Sequence, residues 1–175
     1  MCTYQVVPTK SFLANRPLEV VAVDFTALEP AFDGMENVLV VTDVFTKLTQ
    51  VFPTRDPKAD TTAEVLLRDW FMRYGVPERL HSVQERNFES EVIQKLCWLY
   101  GLKKTHATEM QNVSILTERF MTSYTCCCRK KKHCWPEYLP ELVDAFNVTP
   151  LITTGYSLYN LMFGLHPHLP VDVLL

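Results

Sequence analysis

The order of apolar periodicities along this chain is its tightest constraint on fold. Three short runs rich in β-branched residues come first. Glu19-Val20-Val21-Ala22-Val23-Asp24-Phe25 reads as a buried strand, and Asn37-Val38-Leu39-Val40-Val41-Thr42-Asp43 as a second. Asp33-Gly34 supplies a turn signal between them, and residues 45–52 predict a third strand that completes an antiparallel meander. The spacing then turns helical. Ala63, Leu66, Leu67, Trp70 and Phe71 predict a helix over residues 59–74, stopped by Gly75-Val76-Pro77. Residues 79–83 predict a fourth strand, 88–100 a second amphipathic helix ended by Gly101, and 102–107 a fifth strand. Further helices are expected over residues 116–124, 136–147 and 157–163.

The order βββαβαβ, followed by helices, requires an α/β protein with a five-stranded mixed sheet and helices on both faces. That is the order of the ribonuclease H-like fold. Residues 18–165 are expected to form this core, after an irregular lead-in over 1–17 broken by Pro8, Asn15 and Pro17. Residues 166–175 read as a tail. A chain of 175 residues is long enough for one sizeable core and too short for two ordinary ones. That core is expected to hold Val20 to Val23, Val38 to Val41, Leu66, Trp70, Leu96 and Leu99.

Composition narrows the function. Hydrophobic residues make up 47% and charged residues 21%, which is globular rather than disordered. The net charge of −3 argues against a surface built throughout to grip a phosphate backbone. Positive charge is concentrated in Arg129-Lys130-Lys131-Lys132, without which 13 basic residues face 20 acidic ones. That run fits phosphate contacts or a nuclear-import signal, and equally a solvated loop. No apolar run approaches the roughly 18 residues of a membrane span, and no secretory leader is read at Met1 to Gln5, so no membrane partner is expected.

Three of the six cysteines, Cys126, Cys127 and Cys128, are contiguous, which suits a disulfide framework poorly and favours an intracellular chain. Cys126, Cys128, His133 and Cys134 are crowded together and lack the separated ligand pairs of a structural zinc site, so ordinary thiols are the simpler reading. The other histidines share no ligand spacing. Glycine is scarce, with 5 against 11 prolines, which leaves few places for backbone to crowd a phosphate.

Asp24 lies within an otherwise apolar strand, where a carboxylate is costly without a partner, so a metal site competes with a strand-end cap as its explanation. Around it the sequence resembles the catalytic core of Ty3/gypsy-type retrotransposon integrases. The likeness runs from Arg16-Pro17-Leu18 through Asp24-Phe25, then Thr42-Asp43-Val44-Phe45-Thr46-Lys47 and Tyr74-Gly75-Val76-Pro77. It continues in Arg86-Asn87-Phe88, Leu99-Tyr100-Gly101, Glu118-Arg119-Phe120 and Trp135-Pro136-Glu137, and ends in Thr154-Gly155-Tyr156-Ser157 and Phe163-Gly164.

The resemblance implies an Asp–Asp–Glu triad holding two Mg²⁺ or Mn²⁺ ions for DNA end processing and strand transfer. Asp24 matches the first Asp and Glu118 the Glu, whereas the second Asp position, after Leu80-His81-Ser82, holds Val83. Valine offers a hard cation no oxygen. The loops depart too: Glu85, Val113 and Ile115 stand where the family has glycine. Loss of catalysis is therefore expected. The alternative is a weakly active polynucleotidyl transferase in which Glu85, two residues beyond Val83, reaches the metals. Asp43 is shared with active members of the family and is no replacement. Weak, nonspecific DNA binding, pairing of subunits through core helices and a protein-interaction scaffold complete the expectations. Neither the family's upstream zinc module nor its downstream DNA-binding domain is read in this chain, so assembly onto DNA ends is expected to suffer.

Overall fold

A computed structural model of the chain describes residues 14–82, 89–105, 120–122, 124 and 133–167. The three leading runs form β1 (Val20–Ala27), β2 (Asn37–Asp43) and β3 (Thr49–Thr54), each antiparallel to the next. Helix α1 covers residues 59–74. It is α-helical over Ala59–Val65, π-helical across Leu66–Phe71 and α-helical again at Met72–Tyr74. The wider π turn lets Leu66, Trp70 and Phe71 all turn inward, although Leu66 and Phe71 are five residues apart. Next come β4 (Arg79–Ser82), α2 (Glu91–Tyr100), β5 (Lys103–Thr105), α3 (Trp135–Val148) and α4 (Leu158–Phe163). Residues 120–122 and 124 are helical as well.

The strands lie in the order β3-β2-β1-β4-β5, with β4 parallel to both β1 and β5. This mixed five-stranded sheet with helices is the expected ribonuclease H-like arrangement. Alternation along β1 sends Val21, Val23 and Phe25 to one face, where they meet Leu39, Val41, Leu80 and the inward sides of α1 and α2. Val38, Val40 and Val51 face the other way, towards Phe120, Trp135, Leu139 and Val143. Val20 and Ala22 pack with Val44 in a smaller cluster.

Two expectations need correcting. The third strand begins at Thr49 rather than Phe45, because residues 44–48 are a turn organised by Asp43. The Asp43 carboxylate accepts hydrogen bonds from the Thr46 N–H and hydroxyl, each at 2.7 Å, and Lys47 takes a left-handed φ of 68°. Leu99 is not core: it is 68% exposed. The buried stripe of α2 is Ile93, Leu96 and Cys97, and at about 100° per residue Leu99 falls roughly a third of a turn off its centre. Ser90 caps this helix through the Ile93 N–H, and Gly101 ends it in the left-handed region at φ 67°.

Side chains lock α3 onto the sheet. The Asn147 amide donates to the Thr49 carbonyl at 2.7 Å and accepts the Thr49 N–H at 3.1 Å, while Trp135 Nε1 donates to the Glu29 carbonyl at 2.8 Å. No helix among the described residues is long and apolar enough to cross a membrane.

Candidate active site

Asp24 sits on β1 directly opposite Val40, on the same face as Ala22 and away from α1 and α2. Its neighbours Val23 and Phe25 are buried while Asp24 is half-buried, so the carboxylate lies where the sheet surface starts to open. The last described residue of β4, Ser82, pairs with Val23 one step before Asp24. Val83 follows Ser82 in sequence and lies outside the described residues. So do Glu118, Glu85, Val113, Ile115 and the basic run Arg129, Lys130, Lys131 and Lys132. Phe120, two positions after Glu118, is buried on the Asp24 face with Val38 and Val40.

The positions that the resemblance assigns to a metal-binding triad hold two carboxylates and one aliphatic side chain. Asp24 and Glu118 have hard oxygen donors suited to Mg²⁺ or Mn²⁺, and Val83 has none. A pair of hard cations bridged by three carboxylates does not fit this donor set. Among the described residues, no group of three or more His, Cys, Asp or Glu side chains is arranged to hold a metal ion.

Asp43, the other strand aspartate, has a different job. It is fully buried, and its Oδ1 accepts the Leu18 N–H at 2.8 Å while Oδ2 takes the two Thr46 donors. Those three bonds tie the chain entering β1 to the turn leaving β2, so the carboxylate is committed to the fold. Beside it Lys47 donates to the Val44 carbonyl at 2.6 Å. Burial pulls the Lys47 ammonium below its usual pKa, and Asp43 partly offsets this. Sequence reading missed the turn, because Phe45 and Leu48 read as strand.

The base of β1 carries a second polar cluster. Glu19 accepts the Asn15 N–H at 2.6 Å and pairs with Arg79 at the start of β4, and Arg16 pairs with Glu78. The Asn15 N–H foremost, then Arg79, hold the Glu19 carboxyl below its usual pKa. Of the crowded cysteine–histidine stretch, Cys134 is a free thiol, and His133 Nδ1 lies 2.9 Å from the Pro30 carbonyl with its ring against Phe32. Cys126 and Cys128 lie outside the described residues.

A mixed sheet of this order, with an aspartate at the middle of its first strand, makes this a ribonuclease H-like domain. The comparisons agree. No model of a known protein family matches the chain. The Gypsy retrotransposon integrase-like protein 1 of Bos taurus is 29% identical over 141 residues, covering 75% of this chain and 27% of that protein. The Gag-Pol polyprotein of feline leukemia virus is 33% identical over 153 residues, covering 83% of this chain and 9% of the polyprotein. A chain of the simian T-cell lymphotropic virus intasome, solved in complex with the PP2A regulatory subunit B56 gamma, superposes with a TM-score of 0.72 at 15% identity. That match covers 90% of this chain and 59% of the intasome chain.

The chain is thus an integrase-like domain of retroelement origin, and it belongs with the Gypsy integrase-like and retroviral Gag-Pol proteins. It spans about a quarter of the length of the Gypsy integrase-like relatives.

Proposed function

We propose that this domain is an integrase core that keeps the fold and has lost two-metal strand transfer. The observation that carries this reading is Val83 at the position where the resemblance places the second metal-binding Asp. Without an oxygen there, the clamp on the attacking and leaving oxygens is incomplete, and about three orders of magnitude in rate go with it. Glu85, Val113 and Ile115 support it, since each has narrower backbone freedom than the glycine that the resemblance places there. What remains is weak, sequence-independent nucleic-acid binding through Arg129, Lys130, Lys131 and Lys132, the same run serving for nuclear import.

End-processing and strand-transfer assays in Mn²⁺ test the catalytic half, run on the parent, Asp24→Asn and Val83→Asp. The parent is expected to match the Asp24→Asn background, with any gain confined to Val83→Asp. Product from the parent that disappears in Asp24→Asn would establish the weakly active enzyme instead, and its loss in Glu85→Gln would assign the replacement ligand. DNA affinity measured across a salt series tests the other half. Four phosphate contacts give a log–log slope of roughly −3 to −4, which neutralising the basic run abolishes. An unchanged slope removes the run from the interface.

A further inference from the structure

The loop between β1 and β2 holds an aromatic ring out in solvent on an anchored backbone. Trp135 Nε1 donates to the Glu29 carbonyl at 2.8 Å and His133 Nδ1 to the Pro30 carbonyl at 2.9 Å, while the Phe32 N–H donates to the His133 carbonyl at 3.0 Å. Within the loop the Ala31 N–H donates to the Met35 carbonyl at 2.8 Å, and Ala31 is buried with Phe120 and Trp135. Phe32, between these anchors, is 83% exposed. The exposed His133 ring lies beside it, with 5.2 Å between centroids and a tilt of 40°. A ring presented on an ordered backbone gives up little further freedom when something stacks on it.

Its neighbours identify what stacks there. His133 follows Arg129-Lys130-Lys131-Lys132 directly in sequence, so the residue next to the basic run is the one clamped to Phe32. The acid adjoining Phe32, Asp33, has its Oδ1 turned to the Met35 N–H at 3.1 Å. An open ring face beside a cationic stretch suits a base and its phosphates, since every base has a π-face and every nucleotide an anion.

We infer that Phe32, flanked by His133, is a stacking platform for an unpaired base of single-stranded DNA. The inference rests on the reading of the basic run as the phosphate contact, and adds the kind of strand that the site selects. In a duplex both faces of each base are covered, and a base reaches Phe32 only after it is unstacked. An unpaired strand offers its bases at once. The ring therefore adds to the binding of a single strand and not of a duplex, whereas the basic run serves both.

Fluorescence anisotropy with the full chain tests this, using a labelled thymidine strand of about 20 nucleotides and a duplex of equal length across a salt series. Phe32→Ala is expected to weaken strand binding about tenfold and duplex binding less than about twofold, with both salt slopes unchanged. Phe32→Leu, apolar but without a π-face, is expected to match Phe32→Ala, and Phe32→Trp to bind the strand at least as tightly as the parent. Because Phe32 is exposed, these variants keep the parent's far-UV circular dichroism. A parent that binds neither probe overturns the basic-run reading and this inference with it. Binding that depends on the basic run but is indifferent to Phe32→Ala overturns the inference alone. So does an equal loss on strand and duplex, or strand binding that Phe32→Leu preserves.

Discussion

The two faces of the sheet have been kept to different standards. On one, Val21, Val23, Leu39 and Val41 meet Leu66, Trp70 and Leu96 in a closely filled apolar layer. On the other, the half-buried Asp24 shares its face with the cluster around Phe120 and Trp135. The difference teaches that a closed apolar layer and an ionisable strand residue can occupy separate faces of one sheet. A ligand can be lost from the second face while the packing that holds the first goes unaltered.

The contrast can be broken most forcefully at Trp70. Trp70→Ala opens a cavity in the filled face and is expected to cost about 3 to 5 kcal/mol, read from urea unfolding. Asp24→Asn, half-buried on the other face, is expected to shift the same curve by less than about 1 kcal/mol. Equal losses at the two positions would mean that the faces are not separable. Asp43→Ala strands three donors around one buried site and should cost about 3 kcal/mol, so the two strand aspartates differ in stability although they look alike in sequence.

Asn147→Ala leaves the Thr49 N–H and carbonyl without their partner, and about 2 kcal/mol is expected to go with it. Leu99→Ala sharpens the comparison from the opposite side. Despite its apolar character it should leave unfolding within about 0.5 kcal/mol of the parent.

The smallest effect is a pH dependence. Glu19 ionises more readily in the folded state than its ordinary value of 4.5, so its contribution is present above that value and is lost as pH falls through the lowered one. Glu19→Gln should therefore flatten the acid limb of a melting-temperature profile below about pH 4.5 and leave neutral pH little changed, since the added stability at neutral pH comes from a single solvent-screened group.

Much of the fold was legible because the apolar periods are long and local. The β-branched runs of β1 and β2 and the 59–74 helix stand where their patterns place them, and Gly75 and Gly101 end helices in backbone that suits glycine. Errors arose for two reasons. The hydrogen bonds of Asp43 turned an apolar stretch into a turn, and the helical period itself places Leu99 off the buried stripe of α2. The site was less legible still. Asp24 was visible as a carboxylate among valines, whereas the purposes of Asp43 and Asn147 depend on partners far away in sequence, Leu18 for one and Thr49 for the other. No local pattern encodes such pairs.

The Asn147 amide also has a consequence for what the sheet can join. At Thr49 it occupies both hydrogen-bonding groups on the outer side of β3, so one asparagine stands in for a sixth strand. With Pro53 further along the same strand, offering no N–H at all, the outer margin of β3 is a poor template for another chain's backbone. Along this margin the domain thus resists the strand-by-strand growth that leads to fibrils.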